Sequence, residues 1–208
     1  MSVISKITTL FAFFCFALCT LSATVEEENS FEKKISFGNT SSNIHLYLFT
    51  DWLCGACQKS DSAVQAILKK HLSDTQITYV DIVSHPQSLP FIGFNLSFML
   101  NNKSDYPKIR TSLMQFASDT PLPTSSKIED FIKNEGFTYK KLDESTLAQG
   151  KKLFESLLTK YSVDRTPTLV VADTKTNQSK KLVGVKAITE TSLNDAIKEV
   201  SVSASSAK

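Results

Sequence analysis

The chain has 208 residues, 41% of them hydrophobic and 21% charged, with six Gly, six Pro and four Cys; this balance excludes a disordered, a fibrous and a disulfide-dense miniature protein. Its 23 Lys and Arg stand against 21 Asp and Glu, a formal net charge of +2, and the basic residues are scattered, so there is no electrostatic footprint for nucleic acid. One globular domain is expected, and the four cysteines are the feature to follow.

In chain order, residues 1–23 carry a single Lys6, an apolar run from Ile7 to Leu21, and small residues at Thr20, Ser22 and Ala23. That is the layout of a cleaved secretory signal peptide, with an uncleaved anchor as the alternative. Cys15 and Cys19 lie inside it as apolar filler, which leaves Cys54 and Cys57 as the cysteines of the mature chain. About 185 residues remain, ample to bury a core without a disulfide framework. The mature chain opens on the acidic run Glu26, Glu27 and Glu28.

Ile35 and Phe37 alternate before the turn-like Gly38-Asn39 and predict a short edge strand. The segment 43–50, NIHLYLFT, is nearly continuous in aromatic and branched residues and predicts a central strand. After it, Ala63, Val64, Ile67, Leu68 and Leu72 mark one face of a helix, and 77–83 reads as the next strand. Strand, helix, strand in this order implies a parallel pair with a helical crossover. Residues 84–162 show helical spacing throughout, broken at 119–124 and at Asn134-Glu135-Gly136, and read as an inserted helical subdomain. Phe91, Phe94 and Phe98 there read as helical core. Two further strands, 168–172 and 181–185, flank a polar turn, and a last helix carries Leu193, Ile197 and Val200 before a polar tail.

Cys54-Gly55-Ala56-Cys57 follows a strand and opens a helix. The first thiol is thereby placed beside the unpaired N–H groups and positive end of that helix, which favour thiolate and can lower a cysteine pKa from about 8.5 toward roughly 3.5–7.5. Cys54 is the candidate nucleophile, and Cys57, one turn further in, is placed to resolve a mixed disulfide.

Here the sequence resembles the thioredoxin superfamily of thiol-disulfide oxidoreductases. Trp52-Leu53-Cys54-Gly55-Ala56-Cys57 is similar to its active-site segment, Arg165-Thr166-Pro167-Thr168 to its cis-proline loop, and Val183-Gly184-Val185 to its glycine position beside the substrate groove. The resemblance covers nearly the whole mature chain and implies an α/β, thioredoxin-like fold. Its thioredoxin parts would span about 33–83 and 163–200 of a domain over 24–208, with the helical insertion between them. That long insertion and the leader make a DsbA-like periplasmic protein the nearest resemblance. It implies a cis Pro167, which lets the loop approach Cys54, a Thr166 backbone that offers itself to an extended substrate, and Arg165 and Gly184 along the groove.

Three departures from that pattern bear on the chemistry. Gly55-Ala56 carries no imidazole to stabilise the thiolate, which implies a weaker oxidant than strongly oxidising relatives. The acid that the family often places six residues before the nucleophile is Leu48 here, with Asp51 nearer but expected to be solvent-facing. Thr166 precedes the proline, as in isomerases and some reductases, and its hydroxyl is positioned to donate to the Cys54 sulfur. Without an isomerase-type dimerisation domain, the resemblance implies a monomer.

The expectation is a periplasmic dithiol-disulfide oxidoreductase, a weak oxidant, needing no cofactor beyond the Cys54–Cys57 pair. Its partners would be cysteine-containing secreted or envelope proteins and a membrane redox partner, with no nucleic acid. An envelope reductase or isomerase fed by a membrane electron donor, and a non-catalytic binding or chaperone module with a structural cysteine pair, stay open. A two-residue-spaced disulfide closes too small a loop to stabilise much. Zinc would need ligands beyond the pair, and His45, His71 and His85 are widely spaced, so no metal is expected. Trp52, the sole tryptophan, is expected in a redox-sensitive environment.

Overall fold

The computed structural model describes residues 26–202. The expected leader, with Cys15 and Cys19, lies outside the described residues, as does most of the polar tail.

A helix over residues 26–35 (α1) is followed by β1 (Phe37–Gly38), β2 (Ile44–Thr50), α2 (Gly55–Lys69) and β3 (Gln76–Asp81). Four helices come next, α3 (Phe91–Asn101), α4 (Tyr106–Asp119), α5 (Ser125–Asn134) and α6 (Glu144–Lys160), and then β4 (Thr168–Asp173), β5 (Gln178–Val183) and α7 (Glu190–Ser201). The sheet order is β1-β3-β2-β4-β5. β2 is central, parallel to β3 in the register Leu46↔Ile77 and antiparallel to β4 in the register Leu46↔Val171. Leu46, Tyr47, Leu48 and Phe49 are consecutive and all buried, so helices cover both faces of the sheet, as the unbroken apolar run requires. α7 packs on β4 and β5, α6 on β3, and α2 on α4. The α2 crossover puts the C-terminal ends of β2 and β3, the N-terminus of α2 and the start of antiparallel β4 at one end of the sheet. The cysteine pair stands at that end.

Three local readings are corrected. Ile35 is not in a strand: it closes α1, fully buried, and only Phe37–Gly38 pair with β3. Gly38 has φ +76°, and a Cβ there would meet the Thr75 carbonyl oxygen at 2.5 Å, so this close approach of the edge strand needs glycine. The last strand runs 178–183 rather than 181–185, because Gly184 turns to φ +80° and ends the pairing. Its first four residues, Gln178 to Lys181, are exposed, as an edge strand allows, and so lack the apolar signal of a strand. On α2, Val64 and Leu68 are buried, but Ala63 is exposed and Leu72 lies beyond the helix end with 37% of its surface open.

Candidate active site

Cys54 is the N-cap of α2. It has extended backbone angles, φ −74° and ψ 111°, and its Sγ accepts from the Cys57 N–H at 3.4 Å. An N-cap side chain does this because the first helical N–H groups have no partner inside the helix. Ordinarily the cap is an oxygen; here a sulfur takes its place and receives the same partial positive charge. Cys54 is half-exposed and Cys57 buried, and both are free thiols.

Facing Cys54 across 112 positions of sequence is the loop before β4. The Thr166–Pro167 peptide is cis, and the Cys54 Sγ lies 3.7 Å from the Thr166 carbonyl oxygen. The loop is held by the Thr168 hydroxyl, which donates to the Arg165 carbonyl at 2.9 Å, and by the Gly184 N–H, which donates to the Pro167 carbonyl at 2.8 Å. Gly184 thus joins Pro167 directly. Arg165 is exposed and pairs with the equally exposed Asp164 at 3.4 Å, a contact that contributes little. Gly55 and Ala56 are exposed, and a Cβ on Gly55 would meet nothing within 4 Å.

The two thiols are electrostatically unlike. Burial pushes the Cys54 thiol up, but the hydrogen bonds from the Thr166 side chain and from the Cys57 and Ala56 backbone outweigh it, and its pKa falls below the ordinary cysteine value. Burial of Cys57 dominates, the Asp51 backbone only partly offsets it, and the neighbouring Cys54 pushes the same way, so Cys57 is driven up to about 12. One sulfur is accessible and shifted toward the thiolate, and the other is a buried thiol. That division suits attack by the first and resolution by the second.

Leu48 is 1% exposed and apolar, so the position six residues before Cys54 offers no proton carrier. Asp51 corrects the other expectation: it is fully buried, not solvent-facing. Its Oδ1 accepts from the Leu53 N–H at 2.8 Å and the Ser88 hydroxyl at 2.7 Å, and its Oδ2 from the Ser84 and His85 N–H groups at 2.7 and 2.9 Å. His85 Nδ1 approaches within 3.2 Å. The carboxylate therefore ties the turn that carries Trp52, Leu53 and Cys54 to the loop after β3. Only the Asp51–Leu53 bond, an Asx-turn, had a local sequence signal.

Trp52 is 1% exposed, stacked on Phe91 with ring centroids 5.1 Å apart, and the Arg110 guanidinium lies 5.1 Å from its ring. Arg110, fully buried, donates to Asp61 at 2.8 Å and to the Thr50 hydroxyl at 3.0 Å. Beneath Trp52 lies Asp81, whose carboxyl is pushed up to about 6 by burial, against the opposing pull of Arg110 and a 2.9 Å bond from Asn95. The Trp52 Nε1 and one Asp81 oxygen face this region without a hydrogen-bond partner. Sequence reasoning missed Arg110, Asp61 and Asp81, which reach the site through packing alone. His45 pairs with Glu32 at 3.3 Å, and among the described residues no three His, Cys, Asp or Glu side chains converge.

A family model described as thioredoxin matches residues 30–191, which includes the cysteine pair, the proline loop and the whole sheet. The chain belongs to the thioredoxin family. This thioredoxin-family protein is similar to Proteus mirabilis ScsC in a transitional conformation, at 20% identity over 94% of this chain and 90% of that one, with a TM-score of 0.59. It is similar to a periplasmic thioredoxin-like protein from Salmonella enterica serovar Typhimurium, at 19% identity over 79% and 87%, TM-score 0.58. Pseudomonas aeruginosa DsbA2 is similar at 16% identity over 79% and 92%, TM-score 0.56. At these identities the likeness carries the fold, α/β and thioredoxin-like with DsbA-type proportions. No curated protein matches by sequence.

Proposed function

We propose that this chain is a dithiol-disulfide oxidoreductase of the bacterial envelope, exchanging disulfides with cysteine-containing secreted proteins. The observation that carries the reading is the unlike pair: Cys54, half-exposed and favoured as thiolate, against Cys57, buried and driven up to about 12, both beside the Thr166–Pro167 loop. In the oxidised protein a substrate thiolate attacks the Cys54 sulfur and breaks its bond to Cys57, which leaves as thiolate and takes up a proton. A second substrate thiolate then attacks the substrate sulfur of the mixed disulfide and expels Cys54 as thiolate. Two electrons pass from substrate to protein, and no other cofactor enters. Extended substrate is received along the backbone of Thr166, with Arg165 and Gly184 beside it. The leader-like pattern of residues 1–23 and the periplasmic description of the Salmonella relative support an envelope location. The protein acts as a monomer and is recycled by a membrane redox partner.

We assign it as a weak oxidant. The Cys54 thiolate draws on backbone N–H groups and the Thr166 hydroxyl but on no imidazole between the cysteines, so its reduced form is less stabilised. Thr166 before the proline favours the reductase or isomerase direction as the second reading. Equilibration with glutathione distinguishes them from a strong oxidant: the potential should fall nearer thioredoxin, about −270 mV, than DsbA, about −120 mV. A value near the latter overturns the assignment. A wild type and a Cys57→Ser variant that both fail to form mixed disulfides with a model substrate would overturn the activity itself.

A further inference from the structure

Between α2, β3 and the start of α4 a cavity of about 440 Å³ opens to solvent, a size that takes small molecules. Its α2 residues run from Ser62 to the segment just past Lys69, so it begins roughly 12 Å along the helix from Cys54 and shares no residue with the thiol site. The floor is apolar and buried: Leu68, Ile77, Tyr79 and Tyr106. Phe37 forms a wall, stacked on Tyr106 at 4.7 Å and edge-on to Tyr79 at 5.6 Å, and the partly open Leu72 forms the lip. The Tyr106 hydroxyl is turned inward to Asn95 at 2.8 Å, so the cavity receives its ring.

The charge at the rim has one sign. Lys69 and Lys103 line the cavity and no acidic side chain does. Neither lysine has a carboxylate within ion-pair distance among the described residues. Lys103 reaches across the wall, donating to the Ser36 carbonyl and standing 5.4 Å over the Phe37 ring, with its remaining N–H groups uncommitted. Lys103 is exposed overall, and partial burial of its ammonium against this wall holds its pKa below the ordinary lysine value.

An apolar pocket with an uncompensated cation at its rim fits an amphipathic anion. We propose that this cavity binds a straight-chain fatty acid of about eight to twelve carbons, its chain against Phe37, Leu72 and the open edge of Tyr79 and its carboxylate on Lys103. A methylene is about the size of a water, roughly 30 Å³, so such a chain and its carboxylate fit within the space.

The test is calorimetric titration of the purified full-length protein with dodecanoate, octanoate and dodecyltrimethylammonium, each below its micelle concentration. Dodecanoate should bind saturably at one site, octanoate more weakly by up to about fourfold per methylene removed, and the cation not at all. Lys103→Gln should weaken dodecanoate at least tenfold. Leu72→Glu, at an exposed lip where folding is not at stake, should do the same, and both variants should keep wild-type disulfide exchange. No saturable binding, equal binding of cation and anion, indifference to both substitutions, or competition by a peptide that occupies Cys54 would each overturn the proposal. Because the thiol site is separate, none of these outcomes bears on the proposed redox function.

Discussion

Asp51→Asn tests whether the buried carboxylate beside the cysteines holds the active-site turn. Four donors converge on it, two on each oxygen. An asparagine keeps the shape but replaces one acceptor with an NH2 group. Turned toward Ser84 and His85, that group opposes two backbone N–H donors; turned toward Leu53 and Ser88, it opposes one backbone N–H, since the Ser88 hydroxyl can rotate to accept. The better orientation still strands the Leu53 N–H and removes the charge from the bonds that survive. A hydrogen bond to a charged group contributes about 1.5–3 kcal/mol and a stranded buried donor costs about 1–3 kcal/mol, so a loss of about 3 kcal/mol is expected. At about 2–4 °C per kcal/mol for a domain of this size, the thermal midpoint followed by circular dichroism should fall by about 6–12 °C. The rate of Cys54 alkylation should change in parallel, because Leu53 and the Cys54 N–H, which donates to the Asp51 carbonyl at 3.1 Å, move together. A fall below about 2 °C would refute the clamp.

Three further outcomes are expected. In the reduced protein, iodoacetamide should alkylate Cys54 with a half-maximal rate below the ordinary thiol pKa, and Thr166→Val, which removes the hydroxyl donor, should move that profile upward; superimposable profiles would reject the Thr166 contact. Asp81 has a folded pKa near 6 against an ordinary 3.8, so the native state holds the extra proton between those values. Its stabilisation is full below about pH 4 and lost as pH rises through 6, and urea midpoints should show Asp81→Asn gaining about 2 kcal/mol on wild type between pH 4 and pH 7; a constant difference would refute it. Arg110→Met strands the buried Asp61 carboxylate and should destabilise by about 3–5 kcal/mol, while adding Asp61→Leu should restore most of the loss in urea unfolding; equal instability of single and double variants would reject the pairing.

The cysteine site was legible because its chemistry is local: Cys54 caps a helix whose apolar face begins a few residues later, and Thr166-Pro167 adjoins a strand with its own apolar signal. What escaped was whatever depends on partners distant in sequence. Asp51 is exposed or buried according to a loop 33 to 37 residues away. Arg110 reads as a surface cation on a helical pattern, yet Asp61, Thr50 and the Trp52 ring enclose it. Ile35 fits a two-residue alternation with Phe37 and also fits the last turn of a helix, and burial decides between them. β5 starts three residues before its apolar signal because an edge strand bonded on one side need not be apolar.

Gly55 lies in the first turn of α2, next to the Cys54 sulfur, with open space where a side chain would project. A side chain added at Gly55 would stand beside the Cys54 sulfur without touching the rest of the fold. With nothing within 4 Å of a Cβ at this position, a side chain there meets no steric cost to set against its electrostatic effect. Gly55→His would add an imidazole to the cysteine pair without repacking any neighbour. Because the potential is set by the stability of the reduced form relative to the oxidised one, each substitution there that favours the thiolate stabilises the reduced protein and makes the pair more oxidising in the same step.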